Sequence, residues 1–179
     1  LKNILATITI ISIFKDIHKL DKNIFYDHKI TFGRGDIVKV KLFKKNLYLV
    51  DESYNSNPLS LKSALKNFDM IKVDNSKKHL VIGDMLELGK YSKKLHIEIG
   101  KSINKTSLKN INVIGEHVKW VFRNLNKSKR GIIIKKKSQI IDLIKNNLNN
   151  NDYLMIKGSN STGLNILANQ IKTGKINAI

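Results

Sequence analysis

The sequence predicts an α/β fold: a Rossmann-like, mainly parallel sheet with flanking helices, preceded by a helical segment of different character. Three observations carry that expectation. From Asp36 onward, short apolar runs alternate with amphipathic stretches of helical length, the signature of successive βα units. Polar loops directly follow three of the apolar runs, and in an open parallel sheet ligands bind beyond the carboxyl ends of the strands. The first 33 residues do not share this rhythm.

Ile4 to Phe14 is an apolar run that reads as a buried helix, too short for a span of roughly 18 to 20 residues. Asp16 to Ile30 reads as a short helix and linker, and a domain boundary falls near Phe32 to Gly35, dividing residues 1–33 from residues 34–179. Val38 to Phe43 and Leu47 to Val50 are β-like runs separated by Lys44, Lys45 and Asn46, so a hairpin is expected. Pro58 suits a first helical turn, where its missing N–H costs nothing, and Asn57 before it is a fitting N-cap for a helix to about Phe68. Leu80 to Ile82 is a short buried strand. Ser92 to about Lys105 carries Leu95, Ile97, Ile99 and Ile103 at helical spacing. Ile111 to Ile114 then precedes a helix near Glu116 to Leu125, Ile132 to Ile134 one near Ser138 to Leu148, and Tyr153 to Ile156 one near Ser161 to Ile171. Asn146 to Asn151 is a polar loop, and no repeat of solenoid length is present.

Composition narrows the chemistry. With 179 residues, 41% apolar and 26% charged, the chain is long enough for one domain with a core plus a piece of another. It contains no cysteine, which excludes disulfides, thiol catalysis and thiolate-bound zinc. Leu1 is not followed by a charged region and a small-residue cleavage site, so a cytoplasmic location is expected. The formal charge of +19 is mostly lysine, with arginine only at positions 34, 123 and 130. Phosphate and base readers favour arginine for its planar fork, and lysines spread evenly among asparagine and isoleucine read as a coding bias. A basic, non-catalytic nucleic-acid-binding module is nonetheless a rival reading, with nucleic acid not the expected partner.

The three polar loops carry the chemistry. After Val50 comes Asp51-Glu52-Ser53-Tyr54-Asn55-Ser56-Asn57-Pro58, after Ile82 comes Gly83-Asp84-Met85-Leu86-Glu87-Leu88-Gly89, and after Ile156 comes Lys157-Gly158-Ser159-Asn160-Ser161-Thr162-Gly163. One rim of the sheet should bear all of them. The last loop, with glycines, hydroxyls and a following helix, suits an anion, but the chain has no G-x-x-x-x-G-K-[ST] sequence. Asp84 and Glu87 offer carboxylates for an ammonium or a cation. Capping explains Asn57, but not Asp51, Glu52 and Asn55 together. His96, beside Leu95, reads as a packing or capping residue. His18, His28, His79 and His117 lack metal spacing and read as surface residues, so no metal ligand is assigned. Trp120 and Phe122 read as packing.

In order and spacing these loops resemble the Mur ligases, specifically those that add D-alanyl-D-alanine. That group carries D-[DE]-[ST]-Y-N-A-N-P, then G-D-M-x-E-L-G trailed by S-x-x-L-H-x-x-[IV]-G, then K-G-S. Asp51 to Pro58, Gly83 to Gly89 with Ser92, Leu95, His96 and Gly100, and Lys157-Gly158-Ser159 match in turn. Lys2-Asn3-Ile4-Leu5-Ala6 resembles the group's H-N-x-L-A helix, and Gly33-Arg34 its interdomain G-R.

The resemblance implies an ATP- and Mg²⁺-dependent, amide-forming ligase of peptidoglycan precursor synthesis, in which the carboxylate of UDP-N-acetylmuramoyl-tripeptide is phosphorylated and the amine of D-alanyl-D-alanine attacks the acyl phosphate. It implies that residues 1–33 end a central ATP-binding domain and that residues 34–179 form the carboxy-terminal domain. Asn3 would contact adenine, Arg34 would reach the phosphates and act in catalysis, and Glu52 would hold the ribose side. Asn55, Asn57, Asp84 and Ser159 would be candidate contacts to the dipeptide. Lys2, Ser56 and Asn160 depart from the pattern, standing for histidine, alanine and an arginine after K-G-S. The phosphate-binding loop, catalytic lysine and most Mg²⁺ ligands are expected in missing amino-terminal and central domains, which makes the chain a fragment, a truncated product or half of a split enzyme, inactive alone. A folylpolyglutamate synthase-like amide ligase is a further alternative, against which the Y-N-x-N-P and G-D-M-x-E-L-G loops argue.

Overall fold

The computed structural model describes residues 2–24, 26 and 33–176, with the side chains of residues 2 and 3 outside the description. His28 therefore falls outside the described residues. Contacts divide the chain into two compact units, Leu1–Ile30 and Thr31–Ile179.

In the first unit helix α1 (Lys2–Phe14) forms where the apolar run predicts one, and Asp16 caps the short 3-10 turn Ile17–Lys19 through its carboxylate. Burial differs from expectation. Leu5, Ile10, Ile13 and Phe14 are exposed, because one helix and one turn supply no surface within this unit to cover them.

The second unit is a six-stranded sheet in the order β1-β2-β6-β3-β4-β5. The hairpin β1 (Asp36–Leu42) and β2 (Lys45–Glu52) is antiparallel. Strands β3 (Lys78–Gly83), β4 (Ile111–Ile114), β5 (Arg130–Ile134) and β6 (Tyr153–Lys157) continue the sheet in parallel with β2. The hairpin turn is tighter than the sequence suggests. Phe43 and Lys44 both take positive φ, 48° and 63°, the conformation of a two-residue turn whose twist matches the strands. No Asn-Gly or Asp-Gly marks it, which is why the connection reads as Lys44 to Asn46 from sequence.

Helices α2 (Pro58–Asp69), α3 (Ser92–Asn104) and the short α4 (Lys119–Arg123) share one apolar cluster, around Leu61, Phe68, Ile99, Ile103 and Val121. On the other face α5 (Ser138–Asn147) and α6 (Leu164–Thr173) pack through Ile140, Ile144, Leu167 and Ile171. The helix after β3 and the helix after the adjacent β6 thus lie in different clusters. Between two such strands the sheet leaves a crevice at its carboxyl edge.

Several boundaries move for physical reasons. β3 begins at Lys78 because its polar start is satisfied inside the protein: Lys78 Nζ donates to Asp69 O at 2.7 Å, and His79 Nε2 lies 3.2 Å from Asp152 Oδ2. His79 is therefore not a surface residue but buried, 7% exposed, in an ion-pairing position. The helix expected from Glu116 shortens to five residues, Lys119–Arg123, preceded by a turn whose Glu116 and Val118 N–H groups donate to Asp84. The helix expected from Ser161 is broken by Gly163, at φ 67°, into a 3-10 turn and α6.

Burial lowers the pKa of His79, opposed by Asp152, and of His96, opposed mainly by its bond to Ser92. In the fold both rings favour the neutral form more than they do in the unfolded chain, where they titrate at their ordinary value of 6.5. The unfolded state then binds more protons below that pH, so stability is full above about 6.5 and falls as pH drops beneath it. Urea midpoints at pH 7.5 and 5.5 check this: the lower pH should give the lower midpoint, and equal midpoints would contradict it.

Candidate functional site

The three polar loops emerge on one rim, and the structure shows what joins them. Ser159 stands at the centre, 4% exposed. Its hydroxyl accepts from Leu86 N at 2.8 Å and donates to Ser56 O at 3.2 Å, while its own N–H donates to Asp84 O at 3.0 Å. One residue of the last loop thus links both others. Gly83 and Gly158 make the close approach possible: a Cβ on either would strike Leu164 Cδ1, at 2.6 and 2.8 Å respectively.

Asp84 is equally committed. Oδ1 accepts from Val118 N at 2.7 Å and Oδ2 from Glu116 N at 3.0 Å, so the carboxylate closes the segment after β4. Gly115, with φ 130°, leaves the room, since a Cβ there would stand 2.5 Å from Asp84 Cγ. His96 fixes the same loop from beneath: its Nε2 accepts from Met85 N at 3.2 Å, and Nδ1 donates to Ser92 O at 2.7 Å. That arrangement defines its tautomer and a packing role. Trp120 is half-buried beside the cations of Lys93, 4.3 Å from the ring centroid, and Arg123, 4.9 Å away.

A cleft of about 280 Å³ opens on the hairpin side of the rim, lined by Arg34, Glu52, Tyr54, Asn55, Asn57 and Lys157 among others. The exposed Arg34 guanidinium lies over the Tyr54 ring at 4.5 Å. Gly33, φ 76°, accepts at its carbonyl from Tyr54 N at 3.1 Å, and Gly35 N donates to Asp51 O at 2.7 Å. These bonds seat the Arg34 backbone beside the first loop. Lys157 is 1% exposed and donates to Asn55 O at 3.0 Å and Glu52 O at 3.4 Å, with its ammonium 3.5 Å from Glu52 Oε2. Burial raises the Glu52 pKa, opposed by Lys157, and burial lowers that of Lys157, opposed by Glu52. Each partner offsets the other's desolvation.

Asn55 Oδ1 accepts from Ser56 N at 2.7 Å, and Asn57 Oδ1 accepts from Ser60 N at 2.8 Å in a reciprocal capping box. Both asparagines are exposed at the cleft. Asp51, which capping could not explain, is fully buried and accepts from Ser53 N at 3.0 Å and Ser53 Oγ at 2.5 Å. Its other oxygen is 2.7 Å from Lys172 Nζ. The part played by Lys172 was missed by sequence reasoning, and nothing in its helical position distinguishes it from the solvated lysines around it. Of the nucleotide-side candidates, Arg34 and Glu52 share the cleft, whereas the side chain of Asn3 lies outside the described residues. Among the described residues no group of three or more His, Cys, Asp or Glu gathers to hold a metal ion, and no helix is long and apolar enough to cross a membrane.

Ser56 Oγ is buried without a hydrogen-bond partner. An unsatisfied hydroxyl costs about 1–3 kcal/mol, so Ser56→Ala is expected to raise stability by about 1 kcal/mol, read as an increased urea midpoint. A lower midpoint would show that the hydroxyl is satisfied in solution.

Comparison with known proteins places this geometry. The family described as Mur ligase, glutamate ligase domain, matches residues 33–160. A UDP-N-acetylmuramoyl-tripeptide--D-alanyl-D-alanine ligase of Rickettsia prowazekii is 29% identical over 150 residues, covering 84% of this chain and 32% of that protein. A ligase of the same name from Buchnera aphidicola is 31% identical over 138 residues, covering 75% of this chain and 29% of that protein. The crystal structure of MurF ligase from Thermotoga maritima in complex with ADP superposes with a TM-score of 0.67 at 21% identity, covering 94% of this chain and 36% of that one. The last likeness shows a shared fold. The chain spans about a third of the length of these relatives.

Proposed function

Because the chain belongs to the Mur ligase family, we propose that it is the carboxy-terminal part of a ligase that joins D-alanyl-D-alanine to UDP-N-acetylmuramoyl-tripeptide at the expense of ATP. The observation that carries this reading is the rim itself, where three loops with the matching motifs are tied together by Ser159 and flanked by the Arg34–Glu52 cleft. The named relatives support the same substrates.

In the proposed reaction the tripeptide carboxylate takes the γ-phosphoryl group of ATP, releasing ADP. The dipeptide amine then attacks the acyl carbon, loses a proton, and expels inorganic phosphate. Catalysis of phosphoryl transfer rests on positioning and on cations near the developing charge. Arg34 is the cation this chain contributes, held over Tyr54 and without a carboxylate partner among the described residues. Glu52, kept beside Lys157, offers a carboxylate for the ribose hydroxyls, and Asn3 is the candidate for adenine. On the acceptor side Asn55 and Asn57 are exposed for direct contact, while Asp84 and Ser159 act by holding the loops. The cleft offers a cation, a carboxylate and an aromatic face, which fits one end of a nucleotide. Mg²⁺ would be held chiefly by the preceding domains, and the reaction would take place in the cytoplasm.

The purified chain alone should form no ADP from ATP and the two substrates. Joined in frame to the amino-terminal two-thirds of the Rickettsia prowazekii relative, it should restore ADP release that depends on D-alanyl-D-alanine. Turnover by the lone chain, or acceptor-independent ADP release by the fusion, would contradict the proposal.

A further inference from the structure

A second cleft, of about 340 Å³, opens on the other side of the rim, between the loop after β3 and the start of α6. Its apolar wall is Leu86, Ile114 and Leu164, and its polar wall includes Lys135, Lys137 and Thr162. From these features we infer that the β5–α5 segment supplies a carboxylate-binding subsite, with Lys137 as its principal cation and Lys135 beside it, for the carboxyl end of a short apolar peptide.

The charges in the cleft point one way. Lys135 and Lys137 are exposed, and neither ammonium meets an acidic group among the described residues. The one carboxylate lining the cleft, Asp84, has both oxygens engaged by backbone N–H groups. The Lys137 ammonium sits directly over Gly163, in the space a Cβ there would fill. The segment is also fixed before any ligand arrives. Gln139 Oε1 accepts from Lys135 N at 2.7 Å and from Lys136 N at 3.1 Å, closing the loop onto the first turn of α5. Asn160, by contrast, faces the first loop, donating to Tyr54 O at 3.2 Å.

Size and polarity limit the ligand. A cleft at the lower end of small-molecule sites, with two cations and three aliphatic side chains, suits an anion bearing small apolar groups. A carboxylate gains more from an ammonium than a neutral acceptor does, and methyl-sized substituents suit the wall of Leu86, Ile114 and Leu164. Resting on the function proposed above, the occupant is the terminal carboxylate of D-alanyl-D-alanine, with its amine directed toward the Ser159 junction.

The test titrates the isotopically labelled 179-residue chain with D-alanyl-D-alanine, with D-alanyl-D-alaninamide and with acetate, following backbone amide NMR shifts. The dipeptide should shift the amides of Lys135 to Lys137 and of Ser161 and Thr162. Lys137→Gln, an exposed substitution that leaves the fold intact, should weaken the dipeptide by about tenfold. The amide ligand should bind about as weakly to the unsubstituted chain and be indifferent to the substitution, because the partner group is already gone. Dipeptide shifts confined to Asn55 and Asn57 and untouched by Lys137→Gln would overturn the subsite while leaving the acceptor reading in place. Acetate shifting the cleft as strongly as the dipeptide would uphold a carboxylate subsite and contradict its assignment to the acceptor. No shift in the cleft from any probe, even at high millimolar concentration, would overturn the inference.

Discussion

Lys172→Met is expected to destabilise the fold by about 3–5 kcal/mol, the cost of leaving a buried charge without its partner. Lys172 lies in α6, and its ammonium contacts the carboxylate of Asp36 and stands 2.7 Å from Asp51 Oδ2. Asp36 and Asp51 are direct partners across the hairpin. The lysine therefore separates two carboxylates that would otherwise face each other, one of them fully buried. Methionine keeps the packing of the side chain and removes only the charge. A domain of this size has about 5–15 kcal/mol in total, so the variant should lose a large share of its stability, measured by urea unfolding at pH 7.5. Adding Asp51→Asn should recover part of the loss, since the two sites are coupled. A loss under about 1 kcal/mol, typical of exposed pairs, would show that this cluster is solvated.

Arg34→Ala is expected to lower turnover of the assembled ligase by about 10²–10³-fold, the scale of removing one preorganised group that stabilises transition-state charge. The same substitution should leave stability nearly unchanged. Arg34 is exposed, lies over the Tyr54 ring and repels the nearby Lys157 ammonium, so the fold loses little more than a surface cation–π contact. This separation of effects makes the result interpretable. Arg34→Lys should restore activity only in part, because an ammonium lacks the planar fork that grips two phosphate oxygens. Unchanged turnover in Arg34→Ala would remove this residue from the mechanism.

The sequence reveals most of the fold, and the reason is periodicity. Buried parallel strands such as Ile111–Ile114 and the run Tyr153 to Ile156 stand out as apolar, and the N-cap at Asn57 follows from local rules. What escapes is whatever depends on distant partners. β3 starts on Lys78 and His79, which look solvated until Asp69 O and Asp152 are seen to satisfy them. The turn at Phe43 and Lys44 has no sequence mark, since neither residue favours positive φ.

The site divides in the same way. Motif order marks the loops that meet on the rim, but not how each side chain is spent. Asp84 and Ser159 stand in recognisable loops, and only the folded structure shows their polar atoms turned inward to backbone groups. Lys137 carries no signal in a lysine-rich chain, because its meaning comes from lying beside Gly163, 26 positions later in sequence.

The central claim is that this rim receives D-alanyl-D-alanine. It is tested most directly by ADP release from the fusion with the Rickettsia prowazekii amino-terminal domains, supplied with ATP, UDP-N-acetylmuramoyl-tripeptide and one acceptor at a time. The expected result is turnover with D-alanyl-D-alanine and none above background with glutamate. Turnover with glutamate and not with the dipeptide would contradict the claim and place the chain with the glutamate-adding ligases.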